Sequence, residues 1–133
     1  MTTIYQWFSL PTRISVRCPT CGGEAILERH DVVDNYSPIE GRLTCTQCHE
    51  TRASVVVGWP DDAFFRCDVR GQQLWAWSEQ HVRAIRDYVH SSRRDPKAYP
   101  GFFAALMHLP RHFVIAKNRA ATVKALDKLL ARK

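Results

Sequence analysis

Apolar and polar residues alternate through much of the first half of the chain, which is typical of half-buried β-strands. This alternation predicts four strands, over 13–17, 25–33, 41–44 and 51–59. We expect Ile26, Val32 and Val33 to anchor the second strand. Residues 34–38 then carry a dense turn signal that should separate the second strand from the third.

The same alternation predicts a β-hairpin after these strands, with arms over 64–69 and 72–77. Arg70 and Gly71 form the turn between the two arms, and Gly71 supplies the positive φ that a tight turn needs. Trp75 and Trp77 fall on one face of the second arm. They could stack on nucleic-acid bases, but we expect them to fill a small core.

A helical period replaces the alternation after Ser78. Ser78 is a good N-cap residue, and Val82, Ile85 and Val89 recur at the spacing of one helix face. The pattern therefore predicts a helix that ends near Ser91.

Two further helices are predicted towards the end of the chain. One is short and apolar, over 102–109, and the other covers 119–131. Asn118 is the expected N-cap of the last helix. The inward stripe of that helix should consist of Val123, Leu126 and Leu130, and Leu129 should widen it.

The strongest chemical signal is a set of cysteines with metal-binding spacing. Cys18 and Cys21 form one C-x2-C pair, and Cys45 and Cys48 form a second. A tight turn within each pair brings its two sulfurs onto one ion, and Gly22 permits the backbone that turns amides towards them. Four thiolates complete a tetrahedral shell for Zn²⁺ and leave no open position, so the predicted zinc is structural.

Other uses of these cysteines compete with zinc. Disulfides require an oxidising compartment, and no secretory signal is predicted. A redox C-x-x-C belongs before a helix in a βαβ unit, whereas each pair here leads into a predicted strand. Iron in a rubredoxin-like site stays open as an alternative. We expect His30 and His49 to lie outside the metal shell, and Cys67 to be a small buried residue rather than a reactive thiol.

These predictions define an α+β chain. A β-rich zinc ribbon over 1–77 is followed by a basic helical region over 78–133 that packs on or beside it. The ribbon has few apolar residues, so metal binding should supply much of its folding free energy, on the order of 10 kcal/mol.

Charge is unevenly distributed along the 133 residues, whose formal net charge is +6. Residues 1–67 carry six arginines and eight acidic residues, whereas residues 68–133 carry thirteen cations and five acidic residues. A polyanion-binding surface is therefore expected in the second half. The candidate residues are Arg83, Arg86, Arg93 and Arg94, along one face of the first helix and its extension. The alternative is a solvated face with an Arg83–Asp87 pair.

The two cysteine pairs resemble the zinc-ribbon superfamily over residues 15–60. The second half is similar to a class of uncharacterised small bacterial zinc-ribbon proteins, in Leu-Trp-Ala-Trp-Ser-Glu-Gln-His at 74–81, Tyr88-Val89, Leu109-Pro110 and Ala-Lys-Asn-Arg at 116–119. That class has an Asn-Arg-Glu-His run where this chain has Ser-Glu-Gln-His, which keeps only the histidine. The resemblance implies a bacterial zinc-binding protein and no reaction.

Two functions follow from these features. The first is a nucleic-acid-associated accessory or regulatory module. The second is a protein-interaction module, as an adaptor, accessory subunit, inhibitor or homodimer. The chain lacks an H-E-x-x-H motif, a Gly-rich phosphate loop and a deaminase signature, so we expect no enzyme and no small-molecule substrate. No membrane-spanning run is present, and the expected location is the cytoplasm.

Overall fold

A computed structural model of the chain describes residues 11–30 and 39–132. It confirms the α+β class, with antiparallel strands followed by helices. The described residues divide into two compact units. The sheet unit consists of residues 11–30, 39–65 and 75–78, and the helical unit consists of residues 66–74 and 79–132. The predicted turn at 34–38 and the anchors Val32 and Val33 lie outside the described residues.

The sheet unit contains four antiparallel strands whose spatial order follows the chain. They are β1 (Arg13–Arg17), β2 (Glu24–Arg29), β3 (Ile39–Cys45) and β4 (Thr51–Val57). Each of the four predicted strands is therefore present. The fourth is shorter than expected because it ends at Val57, before the segment that leads to Pro60.

Alternation along the strands separates a buried face from an open face. Ile14, Leu27 and Leu43 are direct cross-strand neighbours, and each is at most 1% exposed. The prediction that Ile26 anchors the second strand is wrong, because Ile26 is only partly buried and belongs to the open face. Ala25 and Leu27, on either side of it, are the fully buried positions.

The β2–β3 contact requires a residue without a side chain at Gly41. A Cβ placed there would overlap the carbonyl oxygen of Glu28 on the neighbouring strand. The register between β3 and β4 also shifts between Gly41 and Leu43, which is a β-bulge. Glycine thus sits where two backbones approach most closely.

The outer edge of β1 is paired with the rest of the sheet unit. The amide of Ser15 donates to the Trp77 carbonyl at 2.7 Å, and the carbonyl of Ser15 accepts from the Phe64 amide at 3.2 Å. Trp59 and Trp75 meet edge to face, with ring centroids 5.3 Å apart. Trp75 and Trp77 are both buried, which confirms the core interpretation of these residues.

The predicted hairpin is present as β5 (Phe65–Val69) and β6 (Gln72–Ala76). Its turn has positive φ at both central residues, 47° at Arg70 and 91° at Gly71. This is the backbone geometry that matches the twist of a two-residue hairpin. The division between the two units falls within the hairpin, since its tip (Arg66–Leu74) belongs to the helical unit.

The helical unit contains α1 (Glu79–His90), α2 (Phe103–Met107) and α3 (Ala116–Ala131), with short 3-10 turns at Pro96–Ala98 and Arg111–Phe113. Val82, Ile85 and Val89 are fully buried, so the predicted stripe of α1 is confirmed. α1 begins directly after Ser78, as expected. None of the described helices is both long enough and apolar enough to cross a bilayer.

The predicted start of the last helix is wrong. α3 begins at Ala116, and Asn118 lies inside its first turn rather than at the N-cap. The Asn118 side chain is buried and donates to the His112 carbonyl at 2.9 Å, while the backbone carbonyl of Asn118 accepts from the Thr122 hydroxyl. A buried side-chain amide can form hydrogen bonds with the backbone of a neighbouring turn or with a helix end. The amide of Asn118 bonds to the turn that contains His112.

The inward face of α3 agrees with the prediction at Leu126 and Leu129 and differs from it at the other positions. Asn118, Thr122, Leu126 and Leu129 are buried, whereas Val123 and Leu130 are only partly covered. Two polar residues thus occupy positions that a hydrophobic stripe would not include. Val123 is left on the other side of the helix.

Candidate metal centre

Sheet topology brings the two cysteine pairs to one end of the sheet unit. The first pair lies in the turn between β1 and β2. The second begins at Cys45, the last residue of β3, and continues to Cys48 in the turn before β4. In an antiparallel sheet, alternate turns lie at the same end. The pairing of Ala25 with Cys45 then places the turns side by side.

The four sulfurs form a compact cluster. Those of Cys18, Cys21, Cys45 and Cys48 all lie within 4.8 Å of one another. The Cys18–Cys48 and Cys21–Cys45 sulfurs are 3.8 and 3.5 Å apart. A tetrahedron with Zn–S bonds of about 2.3 Å has S···S edges of about 3.8 Å, so the cluster fits a zinc ion. The sulfurs are too far apart for disulfides, and all four cysteines are free.

Backbone amides point at the sulfurs of the cluster. Cys18 accepts from the Thr20 amide at 3.4 Å, and Cys21 accepts from the Gly23 amide at 3.3 Å. Cys45 accepts from the amides of Gln47 and Cys48, both at 3.3 Å. Such N–H···S bonds disperse negative charge and orient thiolates towards a metal.

These contacts separate the acidities of the thiols. Burial opposes ionisation of Cys45, but the amides of Cys48 and Gln47 outweigh it and lower the pKa of Cys45 to about 6. The amide of Cys21, together with that of Thr20, lowers the pKa of Cys18 despite its burial. At Cys48 the amide of Glu50 favours the thiolate, but desolvation and the neighbouring sulfurs raise the pKa to about 12. Four thiolates this close therefore need a cation among them.

The two cysteine turns share one backbone feature, a residue with positive φ after the second cysteine. Gly22 directly follows Cys21 and has φ 78°, and His49 directly follows Cys48 and has φ 65°. The left-handed residue reverses the chain after the second cysteine of each pair. Glycine adopts this conformation freely, whereas histidine adopts it at a cost. The sequence signal at Gly22 was visible, but nothing in the residue type indicated it at His49.

The cluster supports the prediction of a metal site, with zinc as the expected ion. Within residues 11–30 and 39–132, these four cysteines are the one group of potential ligands that meets in this way. His30 and His49 are exposed and do not join it. Cys18 and Cys45 are buried, whereas Cys21 and Cys48 are exposed. Four sulfurs also suit iron, so the identity of the ion stays a prediction.

Cys67 is separate from the cluster and is partly buried on β5. Burial, with a smaller contribution from Asp68, raises the pKa of Cys67 to about 11. The thiol is therefore protonated at neutral pH, which makes it a poor nucleophile.

The four candidate arginines do not share one helix face. Arg83 pairs with Glu79 at 2.7 Å, in place of the predicted Asp87, so that pairing prediction is wrong. Glu79 lies one turn earlier at the N-terminal end of α1, where a carboxylate is favoured. Arg86 pairs with Asp127 of α3 at 3.0 Å and with Asp87 at 3.3 Å.

Arg93 and Arg94 lie in the loop after α1, because that helix ends at His90. Arg94 has φ 39° and donates to the Ser91 carbonyl at 2.6 Å. Binding of a partner by these four arginines stays a prediction.

One surface feature of the helical unit was not predicted from the sequence. An open groove runs along α3, lined by His90, Ala116, Arg119, Ala120, Val123, Lys124, Asp127 and Lys128. The only feature of the sequence that relates to this groove is the helical spacing of Ala116, Ala120 and Val123. Because alanine is also the commonest helix surface residue, that spacing alone does not indicate a groove.

Comparison with known proteins adds no relative. No protein-family model, curated protein or solved structure matches this chain.

Proposed function

We propose that this chain is a zinc-ribbon protein in which Cys18, Cys21, Cys45 and Cys48 hold one structural Zn²⁺. The four-sulfur cluster and its N–H···S bonds support this assignment. A shell of four thiolates has no position for a catalytic water, so the proposal includes no enzymatic role. It also assigns the protein to a reducing bacterial cytoplasm, where thiolates persist.

We further propose that the protein is a nucleic-acid-associated accessory or regulatory module that contacts phosphates through its helical unit. One observation carries this proposal, the contrast in charge between the units. The described helical unit has thirteen lysines and arginines against five acidic residues, whereas the described sheet unit has five against six. Zinc with four thiolates would make the sheet unit more negative by two charges.

Most cations of the helical unit are available to a ligand. Arg83 and Arg86 pair with carboxylates. Within the part of the chain that the structure describes, nine others have no carboxylate at ion-pair distance, namely Arg70, Arg93, Arg94, Lys97, Arg111, Lys117, Arg119, Lys124 and Lys128. Unpaired surface cations can release condensed counterions from a phosphate backbone without first losing an internal partner.

The test is binding of the zinc-loaded full chain to labelled duplex DNA, single-stranded DNA and RNA, followed by fluorescence anisotropy. Binding should be present at ~50 mM salt and should weaken steeply as salt rises. The double variant Arg93→Glu/Arg94→Glu should weaken it more than Arg83→Glu/Arg86→Glu, since the second pair already has carboxylate partners. Replacing all four arginines should abolish it.

A matched control is Arg13→Glu/Arg42→Glu, which makes the same change of charge on the open face of the sheet unit. It should leave binding nearly unchanged. Absence of binding to all three nucleic acids at low salt, or equal losses in the control and the arginine variants, would contradict the proposal.

A second candidate function is a protein-interaction module. The groove along α3 favours it, because an apolar concave surface suits a side chain of a partner better than it suits a phosphate. The groove includes Lys124 and Lys128, which are also among the unpaired cations, so the two functions are separated by substitutions at the apolar groove residues and at Arg93 and Arg94.

A further inference from the structure

The groove on α3 combines an apolar floor with an open shape. The floor consists of Ala116, Ala120 and Val123, which recur at i, i+4 and i+7 and therefore share one side of the helix. The groove has a volume of about 760 Å³, and His90 at the end of α1 contributes to its wall. Small floor residues allow the backbone of another helix to approach closely.

The rim of this groove is basic and largely uncompensated. It consists of Arg119, Lys124 and Lys128. Neither lysine has a carboxylate at ion-pair distance among the described residues, and the one acidic lining residue, Asp127, is paired with Arg86 at 3.0 Å.

Arg119 adds a donor that the described chain does not satisfy. One of its terminal nitrogens donates to the Val114 carbonyl at 3.0 Å. Its Nε is buried and has no hydrogen-bond partner. An unmet charged donor beside an apolar floor is an unusual combination, because buried polar groups are normally paired.

We propose that this groove binds an acidic amphipathic helix of a partner protein. The inference rests on the protein-interaction function proposed above. Apolar residues of the partner helix would cover the floor, and its carboxylates would meet the rim, which is the helix-in-groove mode of recognition. Charge complementarity selects an acidic partner, because a basic or neutral helix would leave the rim lysines and Arg119 without counter-charges.

Two other occupants fit the groove less well. A nucleic-acid backbone would match the rim, but its sugars and phosphates would not cover Ala116, Ala120 and Val123. A second copy of this chain would bring another helical unit with a formal charge of +8 on its described residues, and like charges would oppose the contact.

The experiment uses the zinc-loaded full chain and a labelled synthetic peptide of about four helical turns. The peptide carries leucine at i, i+4 and i+7 and glutamate on its other face. Fluorescence anisotropy should detect binding of this peptide. Binding should be lost with a peptide that has glutamine in place of glutamate, and with a scrambled peptide of the same composition.

Variants of the chain distinguish the contribution of the apolar floor to peptide binding from that of the basic rim. Ala120→Glu should weaken peptide binding at least about tenfold, because it places a charge on the apolar floor. Lys124→Glu should weaken it about tenfold as well. The matched control is Lys117→Glu, which makes the same charge change on exposed α3 outside the groove and should alter binding less than about threefold. Circular dichroism checks that each variant keeps its helices.

Each outcome has a distinct meaning. Equal losses in Lys117→Glu and Lys124→Glu, with no effect of Ala120→Glu, would indicate a general charge effect and would overturn the groove proposal. Self-association that Ala120→Glu abolishes would identify a second copy as the occupant and would also overturn it.

Nucleic acid is measured in parallel. If DNA binds and the peptide does not, the groove proposal fails while the nucleic-acid function stands. If the peptide binds and DNA does not, the groove proposal stands and the nucleic-acid function fails.

Discussion

The two units of this protein differ in what holds each of them together. The sheet unit buries aliphatic side chains together with the large aromatic rings of Trp59, Trp75 and Trp77, and four cysteine sulfurs lie within 4.8 Å of one another at one end of it. The helical unit has a core of aliphatic and aromatic side chains and a surplus of exposed cations. The sheet unit offers four sulfurs that could hold a cation, whereas the helical unit carries cations that could meet an anionic ligand. The difference suggests a division between structural and binding roles that experiments can challenge.

The largest expected effect is the loss of the metal. Chelation of zinc, or Cys45→Ser, should unfold β1–β4, because metal binding supplies on the order of 10 kcal/mol to such a site. Amide hydrogen exchange should show loss of protection in these strands while α1 and α3 stay protected. Cys67→Ser is the matched control and should keep one zinc per chain in native mass spectrometry. Simultaneous loss of protection in both units would break the comparison.

A second prediction concerns the close approach within the sheet. Gly41→Ala should destabilise the sheet unit by about 3 kcal/mol, since its Cβ would overlap the carbonyl of Glu28 and backbone cannot move aside cheaply. Gly23→Ala is the comparison, because there the Cβ would meet side-chain atoms only, the Cγ and Cβ of Gln47 at 2.6 and 3.1 Å and the sulfur of Cys21 at 3.3 Å. Gly23→Ala should lower the free energy of unfolding by less than about 1 kcal/mol. Denaturant unfolding of the zinc-loaded variants measures both, and equal costs would refute the backbone argument.

The helical unit should show its own pH dependence through His81. This residue is fully buried against Phe102, and burial lowers the pKa of His81 to about 3 from an ordinary value of 6.5. The pKa of His81 is lower in the folded state than in the unfolded state. Its contribution to the free energy of unfolding is therefore complete above about pH 6.5 and is lost as pH falls towards about 3. Stability should fall by about 2 kcal/mol between about pH 7 and about pH 5.

The measurement is denaturant unfolding followed by far-UV circular dichroism at both pH values. His81→Leu should remove this part of the pH dependence, and comparing the change with pH in the two proteins cancels the acid sensitivity that zinc gives to both. An unchanged slope in His81→Leu would assign the pH dependence to the sheet unit instead.

The smallest expected effect compares the two cysteine turns with each other. His49→Gly should raise stability by about 0.5 kcal/mol, because it relieves a left-handed histidine while adding some chain entropy. Gly22→Ala should lower it by about 1 kcal/mol. Zinc competition with a chromophoric chelator detects both changes, since folding and metal binding are coupled in such sites. A loss of zinc affinity in His49→Gly would indicate that the imidazole itself supports the site.

The sequence by itself determined the positions of the four strands, the hairpin turn, the first helix and the four potential ligands. These features depend on local rules, namely alternation, glycine at a positive φ, and cysteines two residues apart. They do not require knowledge of which segments meet. The buried stripe of α1 and the cysteine cluster were accessible for this reason.

Only the tertiary structure decided which residues each face contacts. Arg86 pairs with Asp127 across two helices, Asn118 satisfies the turn at His112, and Val123 is left beside a groove rather than in the core. Each of these depends on packing between segments that are distant along the chain. A helical period indicates that a stripe exists, but the neighbouring helices determine which side of it is buried.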